Sequence, residues 1–369
     1  MSIKLLCTHA KMIQFFYKEC GERFGSMTHQ QPARTNTHGA STKNDKGDMK
    51  NSQLIAESVT YLHPDKICDQ ISDLLLDEYL KQDPLSRVAI ETTGGHGYIA
   101  LFGEVTSKGY VDHISEVKKY YKKLTSKDID VISHITTQSP EISQGVTTGG
   151  AGDQGIMVGY ACCDNEVYLP QEMYLARKLL RGFEVDGKSQ VTMENNTLLS
   201  VVLSVQGKTQ NQLKRHVKAC GLDIDPQKIY ANYTGAFELG GFDADSGCTG
   251  RKIVVDAYGP RVPVGGGAFS GKDATKVDRS AAYMARWIAL QLLKKYEAKE
   301  VLIKIGYAIG KADPVLKTAL VDGVETNFDY DCRPQSIIER FDLRKPIYLD
   351  LARNGHFGRG GMVAWEKFE

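Results

Sequence analysis

Gly265 to Arg279 reads GGGAFSGKDATKVDR, and this stretch constrains the chain more than any other. Consecutive glycines let a backbone approach a ligand with φ > 0 and no Cβ in the way. From Lys276 the apolar positions Val277, Ala281, Met284, Ile288 and Leu292 recur at helical spacing, which predicts a helix of about five turns. A helix start offers free N–H groups and a partial positive charge to an anion. With Lys272 and Lys276 beside it, the stretch reads as an anion clamp that holds a polyanion at the helix N-terminus.

Two familiar motifs are nearly matched and both fail on context. Gly266 to Lys272 satisfies GxxxxGK, but Asp273 stands where a nucleotide-binding P-loop needs a Ser or Thr hydroxyl for magnesium. Gly150, Gly152 and Gly155 fit the GxGxxG spacing of dinucleotide folds, which requires a strand before and a helix after. Here Gln144 to Gly149 reads as loop and Ile156 to Ala161 as strand.

Lys plus Arg total 46 against 45 Asp plus Glu in 369 residues, so no global charge points to nucleic acid or a membrane surface. A polyanion must therefore meet a local cluster, and Arg251, Lys252, Arg261, Lys272, Lys276 and Arg279 supply one within a short span. The eight cysteines (Cys7, Cys20, Cys68, Cys162, Cys163, Cys220, Cys248, Cys332) form no CxxC pair and no zinc spacing. They read as reduced, mostly buried thiols of an intracellular, cytoplasmic protein. No apolar run approaches the length of a membrane span.

Residues 1–25 mix basic and apolar side chains as an amphipathic arm or a targeting peptide, while Glu19 and Glu22 argue against a secretory signal. Residues 26–53, poor in large apolar side chains, read as a polar linker, so the folded body is expected to start near Leu54. His63-Pro64-Asp65-Lys66 opens a helix with Ile67, Ile71, Leu74, Leu75 and Tyr79 on one face. Taken alone, Asp65 reads as a cap or first-turn acid more readily than as a metal ligand. Strands are expected over Arg87–Thr93 and Tyr98–Thr106, carrying Glu91 and Glu104, each either exposed by alternation or placed for a cation. Gln138 to Gly155 reads as a glycine-rich lid. A helix near Glu172–Arg181, strands near Lys188–Met193 and Leu198–Gln206, and a helix near Asn211–Cys220 follow. Ile253–Ala257 reads as a strand, Val301–Ile309 as another, and Pro334–Phe341 as a helix. The fragments Tyr174-Leu175-Ala176-Arg177 and Tyr283-Met284-Ala285-Arg286 hint at an internal repeat.

Five blocks now stand in a fixed order: His63 to Lys66, Gly150 to Gly155, Thr249-Gly250-Arg251-Lys252, Gly265 to Arg279, and His356-Phe357-Gly358-Arg359. On these the chain, from about Leu54 to Glu369, resembles the S-adenosylmethionine synthetase (methionine adenosyltransferase) family. The resemblance implies an α/β (α+β) fold of three similar sheet-plus-helix domains with pseudo-threefold symmetry. The expected divisions are a variable arm and linker at 1–53, then domains at 54–140, 148–237 and 239–369. It also implies a homo-oligomer, dimer or tetramer, with active sites between subunits. Methionine sulfur would attack C5′ of ATP, and the expelled triphosphate would be hydrolysed to pyrophosphate and phosphate. A thioether carries no proton to remove, so such a site needs alignment and fixed cations rather than a general base.

Matching positions carry the implied roles. His63 would sit beside the triphosphate, with Asp65 and Asp278 each holding a magnesium ion, two per site, and Glu91 a potassium ion. Lys188, Arg251, Lys272 and Lys276 would grip the polyphosphate. Asp186, Lys252, Ala268 and Phe237 would bind the nucleotide, Phe237 against the adenine. Glu104, Gln138, Lys276 and Asp245 would hold the methionine, Asp245 lying between it and the ribose. Asp153 would lie near the adenosyl group. The chain departs from the family where Tyr61-Leu62 replaces a glycine-containing entry to His63. It departs again where the loop Gln144–Asp153 is shorter and where Gly182 to Gly187 replaces a longer segment with a tryptophan. A non-catalytic regulatory homologue and a P-loop-type ATPase are the alternatives.

Overall fold

The computed structural model describes residues 53–137 and 149–369. The arm, Cys7, Cys20, Gln138 and most of the expected lid lie outside the described residues. The first repeat runs β1 (Leu54–Val59), α1 (Pro64–Gln82), β2 (Arg87–Gly95), β3 (Tyr98–Thr106), α2 (His113–Thr125) and β4 (Asp130–Thr136). The second keeps that order: β5 (Gly155–Cys162), α3 (Gln171–Leu180), β6 (Gly187–Glu194), β7 (Thr197–Val205), α4 (Gln210–Ala219) and β8 (Ile229–Ala231). The third opens with β9 (Gly247–Cys248), α5 (Ile253–Asp256) and α6 (Val277–Tyr296). It continues through β10 (Glu300–Tyr307), β11 (Leu316–Val321), β12 (Val324–Thr326), α7 (Pro334–Phe341) and α8 (Tyr348–Asn354).

These strands make three four-stranded sheets, and the first strand of each repeat is lent to another repeat's sheet. β1 pairs antiparallel with β6, β5 with β10, and β9 with β2. The exchange is cyclic, so every repeat is bound to the other two through backbone hydrogen bonds. In two sheets the last strand runs parallel to its neighbour, β4 to β3 and β8 to β7, because a helix supplies the crossover that parallel pairing needs. In the third, β12 returns antiparallel on β11 through a tight turn at Asp322-Gly323. Helices cover one face of each sheet: α1 lies on β2 and β9, α3 on β1 and β6, and α6 on β5 and β10. The fold is α+β with three domains of this kind.

Small residues set how closely helix and sheet approach. A Cβ on Gly159 of β5 would lie 2.1 Å from the Ala285 carbonyl carbon, so α6 rests directly on that strand. The fragments YLAR and YMAR fall on α3 and α6, and their arginines do similar work. Arg177 donates to the carbonyls of Val255, Ala257 and Phe357, and Arg286 to those of Tyr160, Val167 and Tyr168.

Two expectations are corrected. Ile253–Ala257 is not a strand; Ile253–Asp256 is one helical turn that sends Val255 into the core and brings Asp256 to Lys66, 2.5 Å away. Its β-branched residues favour a strand, and tertiary pairing overrides that weak preference. The thiols are less buried than expected: Cys68, Cys162 and Cys332 are buried, Cys220 and Cys248 partly so, and Cys163 is exposed.

Helix α1 carries a further pattern. Asp65, Asp69, Asp73 and Asp77 recur every fourth residue, stand on one face, and are all buried. Buried carboxylates need donors, and each finds them in the last third of the chain. Asp65 accepts from Cys248 N, Asp69 from Gly250 N, Asp73 from Gly271 N, and Asp77 from Tyr348 N and Leu349 N. The ladder thus fixes the Thr249–Lys252 turn, the glycine-rich loop and the start of α8 against one helix.

Candidate active site

His63 caps α1, its Nδ1 accepting the Asp65 N–H at 3.2 Å, and Pro64 takes the first helical position where no donor is lost. Asp65 is fully buried, yet it meets Lys252 Nζ at 2.5 Å and Arg251 Nε at 3.2 Å. Burial pushes its carboxyl upward, but the Lys252 hydrogen bond and the Cys248 N–H outweigh it and hold the group below its ordinary value. Burial, aided by the Lys252 charge, pushes His63 down to about 4. The imidazole is therefore neutral at pH 7. Its Nδ1 is an acceptor, so the proton sits on Nε2 as a donor.

Asp245 and Lys188 lie near enough for His63 to feel both charges. Lys188 is exposed on β6 and pairs with Glu57 at 2.8 Å. Asp186 accepts from Gly241 N at 2.9 Å, and burial raises its carboxyl. Gln206 joins Asp186 to the Phe237 segment by accepting from Asp186 N and donating to the Glu238 carbonyl. Phe237 itself is half-buried, its carbonyl taking the Gly207 N–H. Seven of the expected residues thus share one neighbourhood: His63, Asp65, Asp186, Lys188, Asp245, Arg251 and Lys252.

The glycine-rich stretch forms a second group. Ile90 N donates to Gly271 O and Asp273 N to Val88 O, so the loop runs along the β2 edge just beyond β9. Lys272 then meets Asp278, on the first turn of α6, at 2.7 Å. Lys276 pairs with Asp273, which also accepts Val88 N. Asp273, the position that fails the P-loop pattern, is therefore a buried anchor. Gly155 and Gly267 flank the Asp278 carboxylate, and the Cβ atoms of Gly250 and Ala268 would stand 2.6 Å apart, bringing the two groups' loops into contact.

Two arginines leave the expected cluster. Arg279 is buried against Asp73 at 2.5 Å and stacks over Tyr348. Arg261 pairs with Glu172 and Asp164 at the start of α3. Neither is free for a polyanion: Arg279 is buried with its acid, and partly exposed Arg261 is held by two. Glu104 is half-buried and Glu91 exposed; both stand on the uncovered face of their sheet. Glu104, Ala89 and Lys272 lie in one row across it. Asp153 is exposed, beyond a turn pinned by the bonds between Ala151 and residues 310–311. The HFGR tail packs against the glycine-rich loop through Phe269: His356 is buried between Phe269 and Tyr283, and Phe357 stacks on Tyr258. Sequence reading missed Asp69, Asp73 and Cys248; the four-residue spacing of the acids on α1 was the available signal.

Three family models match end to end along the chain: the S-adenosylmethionine synthetase N-terminal domain over residues 51–140, the central domain over 148–237 and the C-terminal domain over 239–367. The chain belongs to the S-adenosylmethionine synthetase family. Curated relatives agree. An S-adenosylmethionine synthase from Bifidobacterium adolescentis is 41% identical over 83% of this chain and 93% of its own. Another from Brachyspira hyodysenteriae is 41% identical over 87% and 97%. Synthases of this family are transferases. Among the described residues, no helix is long and apolar enough to cross a membrane.

Proposed function

We propose that this family member is a methionine adenosyltransferase: methionine sulfur attacks C5′ of ATP, the C5′–O bond breaks, and the triphosphate leaves. Hydrolysis of the triphosphate to pyrophosphate and phosphate then precedes release. The observation that carries the reading is the convergence of His63, Arg251 and Lys252 on buried Asp65, Lys252 lying 187 positions from it in sequence. Fixed cations around an already ionised acid are built to stabilise a growing polyanion, and nothing there needs to accept a substrate proton. Neutral His63 donates from Nε2 to the leaving oxygen. Lys188, Arg251, Lys272 and Lys276 hold the phosphates, Asp186, Lys252, Ala268 and Phe237 the nucleoside, and Glu104, Gln138 and Asp245 the methionine. Asp153 stands beside the adenosyl group.

Asp65 and Asp278 are single carboxylates, each beside a lysine. Among the described residues, no group of three or more His, Cys, Asp or Glu would hold a metal alone. That donor set suits magnesium, which takes one or two carboxylates and completes its shell with phosphate and water. Asp65 and Asp278 would hold two such ions, and exposed Glu91 a potassium ion. When bound, they supply positive charge against the triphosphate.

The uncovered sheet faces carry exposed apolar residues, Tyr98, Phe102 and Ile132 on the side of Glu91 and Glu104, Ile55 on the side of Lys188, and Ile156 on the third sheet. Apolar residues in such number mark an interface. A second copy of the chain covers these faces and completes the site. The free thiols favour a cytoplasmic setting.

The test is incubation with ATP, methionine, magnesium and potassium, following S-adenosylmethionine, pyrophosphate and ADP by mass spectrometry. S-adenosylmethionine with pyrophosphate is expected. ADP alone would sink the reading in favour of an ATPase, and no turnover would favour a regulatory homologue.

A further inference from the structure

A cavity of about 560 Å³ lies between the end of β1, the start of α1, the last turn of α3 and the segment from α8 to Met362. That volume accommodates a metabolite-sized ligand. Its lining holds five cations, Lys66, Arg177, Arg181, Arg353 and Arg359, against two acids, Asp256 and Asp350. Lys66 is matched by Asp256 and Asp69, and Arg359 by Asp350. Arg177 spends its donors on carbonyls. Among the described residues, Arg181 and Arg353 have no carboxylate at ion-pair distance; they stack over Tyr174 at 5.8 Å and Tyr61 at 4.5 Å. Two further polar groups of the lining are buried without a partner, Thr60 Oγ1 and Arg359 Nε. Unmatched buried donors are rare in folded proteins and call for a missing acceptor.

We propose that this cavity binds a small ligand carrying a phosphate or carboxylate group, gripped by the forks of Arg181 and Arg353, with Tyr61 beside Arg353 and the unpartnered Nε of Arg359 as a further donor. Guanidinium forks match both groups with paired, charge-assisted hydrogen bonds, and aromatic stacking holds the forks in orientation. Tyr61, Gly182 and Phe183 line the cavity, in the entry to His63 and the link between α3 and β6. It is separate from the candidate active site but shares a wall with it. Thr60 and Tyr61 lead into His63, Lys66 follows Asp65, and Asp256 ends the turn that Lys252 begins. A ligand here therefore bears on the residues that hold the phosphates. The inference does not depend on the transferase reading.

The experiment is isothermal titration of the full chain with inorganic pyrophosphate and, separately, with citrate. Three proteins are compared: wild type, R181A/R353A, and R251A/K272A. We expect binding of one or both probes to persist in R251A/K272A and to weaken about tenfold or more in R181A/R353A. Pyrophosphate alone surviving would identify a phosphate ligand, and citrate alone a carboxylate. Arg181 is exposed and Arg353 half-buried, so their loss spares the core. R181K/R353K, which keeps the charge but not the fork, should bind with intermediate affinity and guards against a folding defect. Binding that vanishes in R251A/K272A and is untouched in R181A/R353A would overturn the proposal, as would a wild type that binds neither probe.

Discussion

Three glycines of one loop should respond to alanine in three different ways. Gly271 has φ +81°, and a Cβ there would stand 1.9 Å from the Ile90 carbonyl oxygen. Backbone cannot swing aside, so the loop must lift from β2. Lifting breaks the Ile90 N–Gly271 O and Asp273 N–Val88 O bonds and the Gly271 N–Asp73 bond. At about 1 kcal/mol for each neutral bond and about 1.5–3 for the charged one, plus the strain of φ > 0, the cost is roughly 4–6 kcal/mol. Part of it will appear as local opening rather than global unfolding. At Gly267 the Cβ would meet the Asp278 carboxylate at 2.0 to 2.3 Å. A side chain can rotate, so Gly267→Ala should cost about 1 kcal/mol of stability. It should still lower kcat/KM for ATP about a hundredfold, because Asp278 and Lys272 no longer hold their places. A Cβ on Gly266 would meet no atom beyond its chain neighbours within 4 Å, so alanine there should change stability by less than about 0.5 kcal/mol. Any loss of activity at Gly266 would then report a ligand at close approach. Urea midpoints and kcat/KM from pyrophosphate release measure both effects. Equal stability of the Gly271 and Gly266 variants would refute the account of how the loop is pinned.

Arg251→Ala and Lys272→Ala should each lower kcat/KM by about 3 kcal/mol of transition-state stabilisation with little change in folding, since both side chains are partly exposed. Steady-state kinetics beside a urea curve checks this. Arg279→Met should destabilise by roughly 3–5 kcal/mol by stranding Asp73, and the double variant with Asp73→Leu should recover only part of it, because Gly271 N then loses its acceptor; chemical unfolding of the three variants decides. Burial raises the Asp77 carboxyl to about 7, above its unfolded value. The folded protein then keeps a proton that the unfolded chain releases, so this contribution is full below about pH 4 and is lost as pH rises through about 7. Asp77→Asn should flatten that decline, which is on the order of 2 kcal/mol between pH 5 and 7; a slope unchanged in the variant would assign it elsewhere.

Much of the fold was legible because the helices carry strong local signals. Pro64 and Lys276 mark two starts, and the apolar period of α6 runs for 20 residues. The blocks around Asp65, Arg251 and Lys272 were legible as charge and glycine patterns. What the sequence hid is partnership. Nothing local distinguishes Arg279 from Lys276, yet Arg279 is wholly buried with its acid, while Lys276 pairs with a buried acid and stays partly exposed at the helix start. Ile253–Asp256 reads as strand from its β-branched residues, but strand preference is a property of paired strands, and none of the three sheets takes it as a partner.

The cyclic exchange of strands explains why residues so far apart in sequence meet. β9 is two residues long and would be worthless alone, yet by joining β2 it sets Cys248, Arg251 and Lys252 beside the start of α1. The acids of α1 then fix, rung by rung, the turn after β9, the glycine-rich loop and α8. Each rung is a buried carboxylate whose donor lies at least 180 residues away, so no rung can form before the last third of the chain has docked. The candidate site and the closure of the three repeats are therefore one event. A variant that weakens a rung, such as Asp69→Asn, should lose ATP affinity in proportion to the stability it loses, whereas Lys188→Ala, outside the ladder, should lose affinity alone.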